Sequence, residues 1–210
     1  MRIAVNTRFL LPGKLEGFGV FTHEVLKRLT TSHPEHEFIF LFDRSYSNQF
    51  IYADNVTPVV AYPQARHPFL WYTWFEWSVP WVFKKHQPDL FLSPDSYLSL
   101  NTEVKSVPVI HDLAFEHYPK AVPLLTRFYY QHFFPKFACK AEAIATVSSY
   151  SKQDLINQYH VDADKIAVVY NGAGEHFRPL SPEEQQAVKA ELTQGYDYFI
   201  YVGAIHQRKN

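Results

Sequence analysis

An alternation constrains the fold more than any other feature of this chain. Apolar runs of roughly five residues, rich in β-branched residues and phenylalanine, recur between longer amphipathic stretches. The runs predict strands at Arg2–Asn6, Glu37–Phe42, Thr57–Val60, Leu90–Leu92, Val107–His111, Ala143–Val147, Ile166–Val169 and Tyr198–Val202. The intervals predict helices over Val20–Thr30, Phe69–Lys85, Pro123–Ala141, Ser151–Gln158 and Pro182–Thr193. In the first of these, Phe21, Val25, Leu26 and Leu29 share one face while Glu24, Lys27 and Arg28 point away. Strands separated by helices pair in parallel, because a parallel connection needs a crossover of about a dozen residues. The expected fold class is therefore α/β, a doubly wound, mainly parallel sheet with helices on both faces. Residues 1–179 read as one domain, and 180–210 as a linker helix and the first strand of a truncated second one.

Composition narrows the function. Apolar residues at 47% and charged residues at 20% supply ample core, and 17% aromatic side chains exclude a disordered chain. A formal charge of −1 leaves no electrostatic excess for nucleic acid, so no nucleic-acid partner is expected. The single cysteine, Cys139, excludes an internal disulfide and a multi-thiolate metal site, fits a reducing cytosol, and reads as a small core residue on a helix. With no run of about 18 apolar residues and no leader-like stretch after Arg2, the expected location is cytoplasmic.

Several loops that come after strands carry residues with chemical potential. The segment Leu11–Val20 contains three glycines and runs into a helix, so free backbone N–H groups could seat a phosphate there. Gly17 and Gly19 lack the third glycine of a dinucleotide fingerprint and the Lys-Ser/Thr of a P-loop, and a permissive turn explains them equally well. His111 and Asp112 end the run Val107–Ile110, at the carboxyl end of a strand, where open α/β sheets place ligands. There an imidazole can bond a sugar hydroxyl or move a proton. Among Ser148, Ser149 and Ser151, one is expected to cap the next helix. Asn171-Gly172 favours a positive-φ turn at another strand end. His33 and His36 flank Pro34 and Glu35 without a third ligand nearby in sequence, and no metal is expected. All four tryptophans lie in Trp71–Trp81. As a regular helix, Leu70, Trp74, Trp77 and Trp81 form one stripe and Trp71, Phe75 and Val82 a second, with Pro80 kinking the end. The stripes fit either a wide core face or peripheral contact with a membrane, where Lys84 and Lys85 would attract anionic lipid.

These motifs resemble a known family. Gly17-Phe-Gly-Val-Phe21, Pro88-Asp-Leu-Phe-Leu-Ser-Pro94, Val107-Pro-Val-Ile-His-Asp-Leu113, Thr146-Val-Ser-Ser-Tyr-Ser-Lys152, Val168-Val-Tyr-Asn-Gly172 with Phe177-Arg-Pro179, and Tyr201–Asn210 succeed one another as in the retaining glycosyltransferases of family GT4 (group 1). The resemblance implies the amino-terminal Rossmann-like half of a GT-B enzyme, receiving a glycan or lipid-linked acceptor. It implies a nucleotide-sugar co-substrate and no metal or other cofactor. His111 would face the transferred sugar as the catalytic residue. Gly17, Gly19, Arg208 and Lys209 would hold the donor diphosphate, and Asp112, Ser149, Asn171 and Gly172 are further candidate substrate-binding residues. The chain departs from the family at Ala204, where many relatives have arginine. The family's two donor-site glutamates, seven residues apart, have no counterpart here, so the 210 residues alone are expected to be inactive. Alternative readings are a sugar-nucleotide epimerase using Glu116 or Glu175, and a non-catalytic glycan- or partner-binding module.

Overall fold

The computed structural model describes residues 1–174 and 177–203. It divides into two compact units, Met1–Asn171 and Gly172–Asn210.

The first unit contains strands β1 (Arg2–Asn6), β2 (Glu37–Phe42), β3 (Val56–Val60), β4 (Leu90–Ser93), β5 (Lys105–Ile110), β6 (Ile144–Thr146) and β7 (Ile166–Val168). They form one seven-stranded sheet in the order β3-β2-β1-β4-β5-β6-β7, and every pairing is parallel. This is a Rossmann-like, doubly wound sheet. Pro58 sits in β3, an edge strand, where a missing N–H interrupts no central ladder. From β1 the chain winds outward through β2 and β3, then returns to lay β4 against the other side of β1. The order therefore reverses between β1 and β4, which opens a crevice at their carboxyl ends.

Strand pleating distributes the core between two layers. Ile3, Val5, Phe38, Phe40 and Phe42 face one cluster with Leu26 of helix α1 (Gly17–Ser32). Ala4, Ile39 and Leu41, one residue out of phase, face the other cluster with Trp74, Phe91 and Phe137. Along α1 the innermost line is Gly19, Thr22, Leu26 and Thr30, and Phe21, Val25 and Leu29 lie half-buried beside it. The two threonine hydroxyls donate back to the carbonyls of Phe18 and Leu26, at 2.6 and 2.9 Å, which lets a polar side chain lie against the sheet.

The tryptophan segment departs from the regular helix expected. It comprises α2 (Pro68–Thr73), a π-helical turn at Trp74–Ser78, and α3 (Val79–His86). The wider turn lets everything after it lag by roughly one residue, about 100°. The expected stripe consequently splits after Trp74, which is fully buried beside Phe75, its Nε1 donating to the Ala61 carbonyl at 2.7 Å. Trp77 and Trp81 point outward, 64% and 63% exposed. Pro80 has no N–H to offer the preceding turn, and the Glu76 carbonyl instead accepts Asn101 Nδ2 at 3.1 Å.

Helices α4 (Ala114–His117), α5 (Leu124–Lys140) and α6 (Ser149–Tyr159) complete this unit. Cys139 is exposed, contrary to the core position expected of it. Phe137 and Ala138 take the inward positions on α5, and the next residue is rotated about 100° away from them.

In the second unit, α7 (Pro182–Thr193) starts with a reciprocal cap: Ser181 Oγ accepts the Glu184 N–H, and Glu184 Oε2 accepts the Ser181 N–H. Arg178 clamps the same carboxylate with both Nη atoms. Tyr198–Val202 is not a strand. No neighbouring strand pairs with it among the described residues, and an unpaired extended segment gains no ladder hydrogen bonds.

Candidate functional site

Three loops meet at the carboxyl end of the sheet where its order reverses, those after β1, β4 and β5. The polar side chains that end the strands form a buried network. Asn6, at the end of β1, donates through Nδ2 to Ser93 Oγ at 3.1 Å and Asp95 Oδ1 at 2.6 Å. Arg8 Nε donates to Asp95 Oδ2 at 2.5 Å, and Arg8 Nη1 to the Ala65 carbonyl at 3.2 Å. Both side chains of this ion pair are only 3% exposed. The guanidinium also lies over the rings of Tyr97 and Phe75, 4.1 and 5.3 Å from their centroids. Burial of two charges is tolerable here because each carries several further contacts.

His111 sits beside this network. Its Nε2 lies 2.8 Å from the Pro94 carbonyl. A carbonyl only accepts, so Nε2 carries the hydrogen and the neutral ring has a bare Nδ1. That Nδ1 makes no hydrogen bond among the described residues. Burial lowers the imidazole pKa from its ordinary value, with the Pro94 hydrogen bond and the charges of Asp95 and Asp112 opposing in part. The ring is therefore neutral at physiological pH and offers an acceptor nitrogen.

The glycine loop reaches the same place. Phe18, between Gly17 and Gly19, contacts the His111 ring edge-to-face at 4.8 Å, and Phe21 does so at 4.9 Å. The two glycines differ. A Cβ on Gly19 would stand 2.7 Å from the Phe9 carbonyl oxygen, whereas one on Gly17 would meet nothing within 4 Å. Gly19 thus lets the start of α1 pack against the β1 loop, and Gly17 leaves the space above the helix terminus open. Gly19→Ala should destabilise the protein by about 1–3 kcal/mol, because backbone must shift to admit the methyl group. Gly17→Ala should leave thermal unfolding nearly unchanged.

The start of α6 closes the other side. Ser148 is the helix cap, its Oγ accepting the Ser151 N–H at 3.0 Å, while Ser151 Oγ donates to the His111 carbonyl at 2.8 Å. Ser149 is exposed and lies 3.0 Å from the Tyr170 hydroxyl. Asp112 Oδ1 accepts the N–H of Ala114, the first residue of α4, at 3.0 Å. Asn171 and Gly172 are exposed beyond β7, and neither adopts the positive φ expected of an Asn-Gly turn. The chain runs on irregularly from β7 without reversing there, so no left-handed residue is needed. Arg208, Lys209 and Glu175 lie outside the described residues. The structure thus brings together His111, Asp112, the Gly17–Gly19 turn and the Ser149 end of α6.

Glu116, the other carboxylate considered for acid/base work, is occupied: Oε1 accepts the Tyr159 hydroxyl at 2.8 Å and Oε2 accepts Gln131 Nε2 at 3.2 Å. At the opposite end of the sheet, Glu35 joins His33 and His36, with one ligand atom of each within 4.8 Å of the others. Sequence reasoning does not count Glu35 as the third group of that cluster. It also passes over Arg8, Asn6 and Asp95. The available signal is a charged or amide residue at or just beyond the ends of two apolar runs that pair in the sheet.

Residues 15–174 match the model of Glycosyltransferase Family 4. The chain is 23% identical over 207 residues to the O-antigen chain mannosyltransferase B of Escherichia coli, an alignment covering 93% of this chain and 54% of that relative. Anabaena Alr3699/HepE, solved in complex with UDP and glucose, superposes with a TM-score of 0.53 at 16% identity, over 91% of this chain and 50% of its own. The UDP-GlcNAc 2-epimerase of Neisseria meningitidis, solved bound to UDP-GlcNAc, gives a TM-score of 0.51 at 12% identity, over 80% and 45% of the two chains. The chain spans about half the length of these relatives, and the structural likenesses concern the fold alone. On the family match, which covers most of its length and includes the glycine turn and His111, the chain belongs to Glycosyltransferase Family 4.

Proposed function

We propose that this chain is the acceptor-side half of a retaining glycosyltransferase, which moves a sugar from a nucleotide-sugar donor to a glycan or lipid-linked acceptor in polysaccharide assembly. The observation that carries the reading is the convergence of His111 with the Gly17–Gly19 turn through Phe18. A neutral imidazole with a bare Nδ1 suits a sugar hydroxyl, and the open helix terminus at Gly17 suits a diphosphate. Arg208 and Lys209 would add positive charge to the leaving group, so no metal is required. The E. coli relative is by name a mannosyltransferase, and the Anabaena protein was solved with UDP and glucose; a hexosyl donor is inferred by analogy.

The chemistry proposed is displacement on one face. The bond from the anomeric carbon to the phosphate oxygen breaks, the bond to the acceptor oxygen forms on the same side, and the acceptor's proton passes to the departing phosphate. His111 holds the sugar while backbone amides and cations stabilise the developing charge. Epimerisation is disfavoured because Glu116 is bound to Tyr159 and Gln131. The test is a transfer assay of this chain joined to a donor-binding half, on a panel of nucleotide sugars with membrane-extracted glycan acceptors; absence of transfer from every donor would overturn the reading. Residues 1–210 alone should transfer nothing and bind nucleotide sugars weakly, and micromolar affinity by calorimetry would contradict that expectation.

Peripheral membrane contact belongs to the same reading. Among the described residues no helix is long and apolar enough to cross a membrane. Phe69, Trp77 and Trp81 are exposed, and α2 and α5 border an apolar groove of about 390 Å³ lined by Tyr72, Leu125 and Phe128. The segment 68–86 together with α5 carries Lys84, Lys85, Arg127, Lys136 and Lys140 against one acid, the buried Glu76. Lys85 and Lys136 lie over the rings of Trp81 and Phe133, at 5.9 and 5.7 Å. Aromatic rings with folded-over cations suit an anionic lipid surface. The protein should cosediment with phosphatidylglycerol vesicles and not with phosphatidylcholine, and Trp77→Ala with Trp81→Ala should release it.

A further inference from the structure

The structure assigns Asp95 as a positioning residue for His111, acting through the Pro94 carbonyl and held by Arg8; the functional weight of this rests on the reading that His111 faces the transferred sugar. Pro94 is the acceptor for His111 Nε2. It stands between Ser93 and Asp95, and both neighbours are locked. Asp95 Oδ1 accepts Asn6 Nδ2 at 2.6 Å, Ser93 Oγ at 3.1 Å and the Tyr97 N–H at 3.4 Å, and Oδ2 accepts Arg8 Nε at 2.5 Å. The next residue, Ser96, adopts φ +78, a conformation that side chains other than glycine rarely take. It is kept there by its hydroxyl, which donates at 2.9 Å to the carbonyl of Val109, two residues before His111. The loop carrying the Pro94 carbonyl is thereby tied to the end of β1 on one side and to β5 on the other.

This arrangement decides which nitrogen of His111 is bare. Phe18 and Phe21 fix the plane of the ring at its outer side, and the Pro94 carbonyl fixes the hydrogen on Nε2. If the carbonyl moves, Nε2 loses the hydrogen-bond partner that the structure gives it, and Nδ1 ceases to be the defined acceptor. The buried ion pair therefore acts on the site without touching it. This gives the costly pair of charges a local rationale: neutral side chains could fill the space, but the carboxylate gathers four donors around a single loop.

The test is nitrogen-15 NMR of histidine-labelled protein at neutral pH. The unmodified protein should show a protonated Nε2 on His111, with a slowly exchanging hydrogen, and an unprotonated Nδ1. Asp95→Asn should lose that slowly exchanging resonance and, in the chain joined to a donor-binding half, lower sugar transfer on the order of tenfold to a hundredfold, as expected for a misplaced contact. Should Asp95→Asn fail to fold, Arg8→Met with Asp95→Asn removes both charges and should show the same spectroscopic change. A distant core variant, Phe50→Ala, should keep the resonance despite its lost stability. Retention of the Nε2 hydrogen at an unchanged shift in the folded Asp95 variant overturns the assignment. If the resonance is lost as expected but His111→Ala transfers sugar normally, the positioning role stands and the proposed function falls.

Discussion

His111→Ala, in the chain joined to a donor-binding half, is expected to lower sugar transfer by a factor on the order of 10² to 10³, the range for losing one preorganised hydrogen bond at the reacting centre. The ring touches Phe18, Phe21 and the Pro94 carbonyl, so the variant's thermal unfolding must be recorded beside its activity. A folded variant with full activity removes His111 from the chemistry. The same substitution separates enzyme from binding module, since glycan or partner binding by an adaptor would survive it. The pH profile adds an independent check. Burial lowers the His111 pKa, so the ring stays neutral to more acidic pH than an exposed histidine. Transfer should be level through neutral pH and fall only below the ordinary imidazole value of about 6.5. Stability has the same sign. The unfolded ring takes up a proton near pH 6.5 and the folded ring only at lower pH, so this contribution is complete above about 6.5 and is lost as pH falls toward the folded value.

Arg8→Met should cost about 3–5 kcal/mol of stability, the range for removing one partner of a buried ion pair. Methionine fills much of the space against Tyr97 and Phe75, but Asp95 is left with a buried charge and no cation. Adding Asp95→Asn removes that charge and should recover most of the loss. Denaturant unfolding of the two single variants and the double variant provides the cycle. Independent, additive costs for the two changes would show that the charges do not depend on one another.

The sheet is legible in the sequence because period and spacing report burial directly. The bounds expected for Arg2–Asn6 and Glu37–Phe42 are those of the structure, and five other strands have ends displaced by no more than two residues. The expectation of a strand at Tyr198–Val202 fails because composition records that a run is apolar, not whether a neighbouring strand is present to pair with it. The tryptophan segment defeats a helical wheel because a wheel assumes a constant angle per residue, which the π-helical turn breaks. At the site, His111, Asp112 and the glycine turn are visible from their places after strands. Arg8 and Asp95 are not, since they lie 87 positions apart and only the return of β4 beside β1 brings them together. Cys139 and Asn171-Gly172 show the reverse error, in which a residue's general preference is applied where neighbouring residues decide the outcome.

The π-helical turn at Trp74–Ser78 makes this stretch sensitive to its residue count. Shortening it by one residue would rewind α3 by about 100°, and Trp77 and Trp81 would swing toward the sheet as Val79 and Val82 swung out. Conservative substitutions within the five residues should be tolerated better than a single deletion, because the number of residues, more than their identity, decides which indoles stay dry and which meet the outside.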